Sequence, residues 1–294
     1  MNIYDCFMYF DEDLLLELRL HSLHKFVKKF VITEATYTHN GAKKKLNFDI
    51  KKFRKFEDKI IYIVVDKQPE NILEIFPNDN IEKKGEKLIL NGMARDYFQR
   101  ENLTRGISDA QEDDLILISD LDEIPNLNNY KYKNKISIFK HKMFCYKLNL
   151  EYPDFYWIGT KICKKKYLKS PQWLRNIKDR NYSWWRIDIY LSDTKYSNIK
   201  IFDHGGWHFS YIKTPKDIEK KLRSYLHHTE YELNPLNPEK ISELIKQKKT
   251  VYNLKVDSRF DKFNDGNTLE MLDLNLLPKY VRDNLEIFND WIEK

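Results

Sequence analysis

The segment LILISDLDEIP at residues 115–125 constrains the fold more than any other stretch of this chain. Its first four residues are all apolar, which is the length and composition of a buried strand. The strand must end at the acids that follow, because Pro125 cannot donate a hydrogen bond at a central sheet position. Ligands of open α/β sheets bind just beyond the carboxyl ends of the strands. The pattern therefore predicts that Asp120 and Asp122 lie at a ligand-binding edge.

Paired carboxylates at such an edge suit Mg²⁺ or Mn²⁺, which prefer oxygen ligands and often join one or two carboxylates to substrate phosphates. A solvated turn, or the cap of a following helix, is the ordinary alternative for an isolated Asp-x-Asp. Here the apolar run before the acids and the Glu-Ile-Pro after them favour a metal–diphosphate site. A haloacid-dehalogenase-type phosphatase also carries Asp-x-Asp, but its motif ends in Thr or Val where this chain has Ile124.

Strand and helix patterns alternate through the first half of the chain. Alternation of this kind predicts a mostly parallel sheet with helices on both faces. Apolar residues at helical spacing predict helices at 11–29 and 86–105, and short apolar runs predict strands at 30–35, 60–65 and 115–118, with a polar loop at 36–45.

The pattern changes after Pro125. Strand-like segments are predicted at 136–150, 157–168 and 199–212, the last as a strand pair or a strand and loop. Helices are predicted at 239–247, at 278–293 and after Thr214, with Pro215 at the first helical position. We therefore expect an α/β core at 1–212, with a donor-binding half at about 1–125 and an acceptor half at about 126–212. A helical C-terminal extension, 213–294, is expected to pack on this core.

The composition is that of an ordinary globular protein, with 41% hydrophobic and 33% charged residues. The chain shows no apolar run long enough to cross a membrane and no signal peptide at its start, so a cytoplasmic protein is expected. Cys6, Cys145 and Cys163 form no Cys-x-x-Cys pair and are interpreted as buried thiols in a reducing compartment. The net charge of +6 fits a nucleic-acid binder and an enzyme of anionic nucleotides equally well.

Two further groups could bind a nucleotide. Glu34 lies near the end of the predicted strand 30–35, so the same sheet rule places it at the ligand edge, where it could bind a base or a ribose. Asn91 and Arg95 are four residues apart on one face of the predicted helix, and Arg95 could form a bidentate contact with a diphosphate. The ordinary alternatives are an exposed carboxylate at Glu34 and an ion pair at Arg95.

Histidines and aromatic residues suggest two other ligand contacts. The segment DHGGWHFSY at 203–211 combines two glycines, which let a backbone approach a ligand closely, with His204 and His208 as candidate metal ligands. Structural histidines are the alternative. The segment YSWWR at 182–186 could stack on sugars or bases, although at least one of its tryptophans is expected in the core.

Taken together, these motifs resemble the β-1,4-mannosyl-glycoprotein N-acetylglucosaminyltransferases of glycosyltransferase family 17. The resemblance extends over most of the chain, and the acidic and Gly-Trp-His motifs are specific in combination. The matching segments are IYDCF at 3–7, EAT at 34–36, RD at 95–96, ISDLDEIP at 118–125, GWHFSY at 206–211 and HTE at 228–230.

The resemblance implies an inverting glycosyltransferase with a GT-A-like fold, in which a Rossmann-like, mixed but mostly parallel nucleotide-sugar-binding sheet is flanked by helices. It also implies a UDP-sugar donor, with UDP-GlcNAc expected, and Mn²⁺ or Mg²⁺ as cofactor. Asp120 and Asp122 resemble the Asp-x-Asp pair that binds metal and donor diphosphate, and His208 resembles the C-terminal metal-binding histidine of many GT-A enzymes. The expected donor-binding residues are Glu34, Asn91, Arg95, Asp120 and Trp207.

Unlike the animal members, this chain shows no N-terminal membrane anchor or luminal stem. That difference favours a bacterial or viral enzyme acting on a glycan or glycolipid acceptor. Peripheral membrane contact is compatible with this interpretation, and no nucleic-acid partner is expected. In inverting chemistry at sugars, a carboxylate must accept the proton of the acceptor hydroxyl. Asp188 and Asp203 are the candidates for this base, with Glu230 as a third.

Two other functional classes remain open on the sequence alone. A metal-dependent phosphodiesterase or nuclease would account for the paired acids and for the basic excess. A non-catalytic glycan-binding protein would account for the aromatic residues, but it would leave Asp120 and Asp122 without a role. Fold cannot separate these classes, because one fold hosts many functions.

Overall fold

The computed structural model describes residues 1–224, 235–253 and 266–294. Within these ranges the chain forms nine strands in one sheet and six α-helices, joined by loops and short 3₁₀ segments. The strands are β1 (Ile3–Met8), β2 (Lys29–Ala35), β3 (Ile60–Val65), β4 (Leu115–Ile118), β5 (Glu123–Pro125), β6 (Ile136–Cys145), β7 (Leu150–Lys164), β8 (Ile199–Ser210) and β9 (Glu270–Met271). The helices are α1 (Asp13–Leu23), α2 (Ile81–Glu101), α3 (Pro171–Asn176), α4 (Pro215–Ser224), α5 (Pro238–Lys246) and α6 (Lys279–Asp283).

The sheet has two differently built halves. Its strand order is β3-β2-β1-β4-β7-β6-β8-β5, and β9 pairs with β7. Strands β1 to β4 are parallel to their neighbours within this group, as the alternation of strands and helices predicts. In the other half, β7 runs antiparallel to β4 and β6, and β5 runs antiparallel to β8, whereas β6 and β8 are parallel. The sheet is therefore mixed, as predicted, but the described strands form as many antiparallel pairs as parallel ones, so it is not mostly parallel.

The antiparallel pairing of β6 with β7 follows from a short connection. Only residues 146–149 separate β6 from β7, and so short a connection can join only antiparallel neighbours. Tyr146 takes part in this turn with a φ of 67°, in the left-handed region. Strand β5 has three residues and lies at the sheet edge, which agrees with the constraint that Pro125 imposes.

The central strands are buried on both faces. Leu115 and Leu117 face a core cluster that includes the leucines of α1, whereas Ile116 and Ile118 face a second cluster that includes Trp173 of α3. Burial on both faces explains why β4 is a continuous apolar run rather than an alternating one. The three cysteines are buried free thiols, as expected.

The predicted helices of the first half are present with shifted ends. The helix predicted at 11–29 is α1, which is shorter at both ends. The helix predicted at 86–105 is α2, which begins five residues earlier because Asn80 caps it, accepting from the backbone N of Lys83 at 2.8 Å. The segment predicted at 199–212 is a strand and loop rather than a strand pair.

Among the described residues of the C-terminal part, the segment 278–293 is less helical than predicted. The helix expected at 278–293 is instead α6 and a separate 3₁₀ turn at Asn289–Trp291, because Asn284 adopts a φ of −139° and ends the helix. The predicted cap of α4 is confirmed, since Thr214 Oγ1 accepts from the backbone N of Asp217 at 3.3 Å. None of the described helices combines the length and hydropathy that a bilayer crossing requires.

Candidate active site

A cavity of about 490 Å³ opens where the parallel strands end, and the turn between β4 and β5 forms part of its wall. Asp120 and Asp122 both line it, together with His208 from β8. Other lining side chains come from distant parts of the chain, and include Tyr9, Glu12, Tyr37, His39, Asp96, Arg100, Trp157, Gln172, Arg175, Lys221 and Tyr252. The cavity therefore combines acids, bases and aromatic rings from both halves of the sheet.

Asp120 is held between two arginines. Its Oδ2 accepts from Arg175 Nη2 at 2.6 Å, and its Oδ1 lies 3.3 Å from Arg100 Nη2. Arg100, in the last turn of α2, also binds both carboxylate oxygens of Asp96, at 2.7 and 3.1 Å. We call residues 119–123, the turn between β4 and β5 with the first residue of β5, the acidic turn. Both arginine side chains are largely buried, so they place fixed positive charge beside this turn.

Glu123 anchors the second arginine. Its two carboxylate oxygens each accept from Arg175 at 2.7 Å, and Trp157 Nε1 donates to Oε1 at 2.5 Å. Although burial opposes ionisation, the paired Arg175 lowers the pKa of Glu123 from 4.5 to about 2. Glu123 is therefore charged near neutral pH and fixes Arg175 on the cavity wall.

Asp122 faces a histidine and a lysine. Its Oδ1 lies 3.5 Å from His208 Nε2, and its Oδ2 lies 3.7 Å from Lys221 Nζ. Burial opposes ionisation, but these neighbours hold the pKa of Asp122 well below its usual range. Lys221 Nζ also lies 3.3 Å from Glu12 Oε1, so one ammonium group links two carboxylates of the cavity.

The backbone of the acidic turn is fixed from behind by Arg19 of α1. Its Nη1 donates to the carbonyl oxygens of Asp120, Leu121 and Glu123, at 3.0, 3.1 and 2.8 Å. Its Nε and Nη2 bind the carboxylate of Asp5 in β1, and both of these side chains are fully buried. Three carbonyl groups thus converge on one guanidinium, which sets the shape of the turn.

The groups best placed to hold a divalent cation are Asp122 and His208. They lie 3.5 Å apart, and the His208 Nδ1 is buried without a hydrogen-bond partner. Both oxygens of Asp120, in contrast, are engaged by arginines. In the described ranges, no three His, Cys, Asp or Glu side chains are gathered for a metal. The donor set therefore fits a cation that takes its remaining ligands from a substrate or water, and its imidazole suits Mn²⁺ better than Mg²⁺.

Glu34 does not line the cavity, because its carboxylate serves the loop after β2. It accepts from the backbone N of Asn47 and of Phe48 at 2.7 and 3.1 Å, and from Tyr62 Oη at 2.8 Å. It also pairs with Lys44. These contacts give Glu34 a role in fixing that loop.

Of the residues expected to contact the donor, Asp120 lines the cavity, whereas Asn91, Arg95 and Trp207 lie outside its lining, as Glu34 does. Asn91 binds the backbone N and O of Leu73, at 2.7 and 2.8 Å, and so clamps the segment before α2. Arg95 donates to the carbonyl oxygen of His39 at 3.1 Å. Trp207 donates through Nε1 to a carbonyl of the C-terminal segment at 2.9 Å. Each side chain thus joins two parts of the fold.

The two acids expected to act as the base are also placed elsewhere. Asp188 lies in the loop before β8, where its carboxylate pairs with two basic neighbours, one of them Lys195 at 2.8 Å. Asp203 lies on β8 with 73% of its side chain exposed, 3.3 Å from Lys140 Nζ. Neither lines the cavity. Glu230 and the motif at 228–230 lie outside the described residues.

Several residues that line the cavity were not predicted from the sequence as site residues. Arg100 had a usable signal, because it lies four residues after Asp96 on one helix face. Arg175 had none, since 55 residues separate it from Asp120. Lys221 is likewise 209 positions from its partner Glu12, and only the fold brings them together.

Comparison with known proteins identifies the family that this chain matches. The family model of glycosyltransferase family 17 matches residues 1–289, nearly the whole chain. A search of curated proteins finds no significant match. Every residue that lines the cavity falls within the matched range.

Proposed function

Because the chain belongs to glycosyltransferase family 17 and is a glycosyltransferase, we propose that it transfers N-acetylglucosamine from UDP-GlcNAc to a hydroxyl of a glycan or glycolipid. The cavity at Asp120 and Asp122 is the proposed donor site, and transfer proceeds with inversion at the anomeric carbon. One observation carries this proposal: acids, a histidine and two arginines meet at the carboxyl ends of parallel strands, where α/β sheets bind nucleotides.

The size and lining of the cavity support a nucleotide-sugar ligand. Small-molecule sites are typically clefts of roughly 300–1,000 Å³ with an apolar lining and a few polar groups that fix orientation. This cavity, at about 490 Å³, combines the rings of Tyr9, Tyr37 and Trp157 with its charged groups. Aromatic faces can stack on a base or on a sugar.

Asp122 and His208 are the proposed ligands of a divalent cation, with Mn²⁺ as the better match. Such a cation, when bound, supplies a Lewis acid that stabilises negative charge on a diphosphate. The chain itself adds fixed positive charge beside these two residues, through Lys221 next to Asp122 and through Arg100 and Arg175 next to Asp120. Charges arranged in advance in a cavity of low polarity favour a charged transition state more than solvent does.

The transfer itself is a single displacement. The acceptor oxygen bonds to the anomeric carbon while the bond from that carbon to the diphosphate breaks, and UDP leaves with the bonding electron pair. The acceptor proton must pass to a carboxylate. We assign this base to Glu12, because its lysine contacts, at 3.3 and 4.0 Å, are looser than the arginine contacts of Asp96 and Asp120, at 2.7 and 2.6 Å, and because Asp122 is assigned to the cation. Burial opposes its ionisation, yet Lys221 and Lys213 lower the pKa of Glu12, so it is ionised near neutral pH as a base must be.

The metal and donor assignment is tested with Asp122→Ala. We expect this variant to lose the Mn²⁺-dependent rise in Tm that UDP-GlcNAc gives the parent protein. Its rate of sugar transfer should fall by about a hundredfold or more. Asp203→Ala is the matched control, because it removes a carboxylate outside the cavity. Full Mn²⁺-dependent stabilisation of Asp122→Ala, or loss of activity in Asp203→Ala, would contradict the assignment.

Glu12→Gln separates the base from the donor site. We expect kcat for transfer to fall by roughly a hundredfold to ten-thousandfold, while KM for UDP-GlcNAc changes little. Initial rates with varied donor and fixed acceptor measure both quantities. A rise in KM with kcat unchanged would instead assign Glu12 to substrate binding.

A further inference from the structure

The loop between α3 and β8 exposes large apolar side chains. Five such residues fall within eight positions of the chain, although side chains of this kind are usually buried. Their exposed fractions are 72% for Trp184, 68% for Trp185, 78% for Ile187, 73% for Tyr190 and 85% for Leu191. Neither tryptophan lies in the core, so the prediction that at least one would do so is wrong. We call residues 183–193 the aromatic loop.

The aromatic loop is an ordered structure rather than a frayed segment. Two strand-like contacts close its neck, from Lys178 N to Thr194 O at 2.8 Å and from Tyr182 N to Tyr196 O at 3.1 Å. Inside the loop, Ile187–Ile189 forms a 3₁₀ turn. Arg186 N also donates to Ser183 O, and Tyr190 N to Ile187 O, each at 3.0 Å, so backbone hydrogen bonds hold the loop while its apolar side chains are exposed.

The acids of the loop are neutralised within the protein. Asp188 pairs with Arg186 and Lys195, each at 2.8 Å, and Asp193 pairs with Lys169. Residues 178–195 carry four basic side chains against three acidic ones. This segment therefore has a small net positive charge, and Asp188 and Asp193, the two acids of the aromatic loop, are both held in ion pairs.

This combination matches the chemistry of a lipid–water interface. Tryptophan and tyrosine favour the headgroup level, aliphatic side chains enter the acyl boundary, and basic residues are attracted to anionic lipids. A platform that stacks sugars would use the aromatic rings but has no use for exposed Ile187 and Leu191. We propose that the aromatic loop binds the surface of an anionic lipid bilayer.

The position of the loop relates it to the cavity. Trp173 of α3 donates through Nε1 to the carbonyl oxygen of Asp193 at 2.7 Å, which ties the loop to that helix. The same helix carries Arg175, which lines the cavity. A protein bound through this loop would thus hold its cavity near the membrane surface, where a lipid-linked acceptor is found.

Vesicle flotation with the full chain tests the proposal without any turnover. The vesicles are phosphatidylcholine alone, and phosphatidylcholine with about one third phosphatidylserine. We expect the protein to float with the anionic vesicles. The double variants Trp184→Ala/Trp185→Ala and Ile187→Ser/Leu191→Ser should each bind about tenfold more weakly, whereas Ile81→Ser, an exposed apolar residue at the start of α2, should bind like the parent.

Four outcomes would overturn the proposal. The first is failure of the parent protein to float with anionic vesicles, and the second is unchanged flotation of both double variants. The third is a dimer in solution that both double variants dissociate, since the loop would then bind a second copy. The fourth is a loss of flotation confined to the tryptophan variant, together with a raised KM for a soluble glycan acceptor, since the loop would then be a sugar-binding platform. Asp122→Ala should float like the parent protein, because Asp122 lies outside the aromatic loop. The flotation result therefore does not depend on whether the proposed function is correct.

Discussion

At the scale of single residues, the acidic turn depends on a charge that no local sequence pattern reveals. Arg19 is fully buried, and a buried guanidinium is tolerated only where its N–H groups find acceptors. Asp5 and three carbonyl groups of the turn supply them. In sequence, Arg19 is simply one polar residue within an apolar helix, so its role could not be predicted.

Arg19→Lys should therefore destabilise the protein and disturb the donor site together. A lysine keeps the charge but cannot contact Asp5 and three carbonyl oxygens at once, so we expect a loss of about 3 kcal/mol in the free energy of unfolding. Urea unfolding measures this loss, and weaker Mn²⁺-dependent binding of UDP-GlcNAc should accompany it. Arg105→Lys is the matched control, since Arg105 binds one carbonyl at the surface. An equal effect in both variants would rule out a specific role for Arg19.

At the scale of elements, the two ends of the chain meet through α1 and α6. His21 of α1 stacks on Tyr280 of α6 with ring centroids 3.9 Å apart. His21 also makes an edge-to-face contact with the ring of Phe56. Partial burial, together with nearby Lys55, lowers the pKa of His21 from 6.5 to about 4. The stacked histidine is therefore neutral in the folded protein at mildly acidic pH, where an unfolded chain would protonate it.

This contact should make stability depend on pH. Because the unfolded state binds the proton first, stability is complete above pH 6.5 and is lost progressively as the pH falls toward about 4. His21→Phe keeps an aromatic ring at the contact and removes the titration. We expect its unfolding free energy, followed by urea titration, to fall less over this interval than that of the parent. Parallel curves for the two proteins would contradict the assignment.

Strand β7 makes room for the buried acid of the site. A Cβ atom on Gly159 would overlap the carboxylate of Glu123. We expect Gly159→Ala to displace Glu123 from Arg175, to destabilise the fold by about 1–3 kcal/mol and to raise KM for the donor. Thermal unfolding and initial rates measure these effects. Gly85→Ala is the control, because no atom lies near its added methyl in α2, and it should be neutral or slightly stabilising.

The sequence predicted elements best where burial is uniform. Strand β4 was identifiable because both of its faces are packed, and α4 because Thr214 and Pro215 signal a helix start. The segment 278–293 was misassigned as one helix. Its apolar residues reach the core from a short helix and a separate 3₁₀ turn. Their spacing therefore resembles that of one helical face, although no single helix is present.

At the scale of the whole molecule, the limits of prediction lie in long-range contacts. The acid-terminated strand pointed to Asp120 and Asp122 because a local pattern marks a strand end. Asp188 and Asp203 were proposed as bases from their place in the chain alone, and the structure puts both at the surface beside basic residues. The residues that surround the acidic turn come from segments that share no local pattern with it, so only folding identifies them.

The C-terminal segment closes one side of the core. Val281 and Phe288 are fully buried in the cluster that also contains α1, and the backbone of Trp291 accepts from Leu148 N at 2.8 Å. Phe288→Ala should cost about 3–5 kcal/mol in unfolding free energy, since it leaves a cavity in this core. Ile287→Ala, at the exposed neighbouring position, should change stability by less than about 0.5 kcal/mol. Similar losses in both variants would show that the segment is not anchored through Phe288.

The long separations around the acidic turn bear on how the protein is made. A nascent chain leaves the ribosome from its N-terminus, and at speeds of about 5–20 residues per second the order of synthesis matters. Asp120 emerges 55 residues before Arg175, the second of its two arginine partners, and Glu12 emerges 209 residues before Lys221. During translation, Arg19 and Arg100 are already present to pair with Asp5 and Asp96, but Glu12 and Asp122 lack Lys221 until most of the polypeptide has been released.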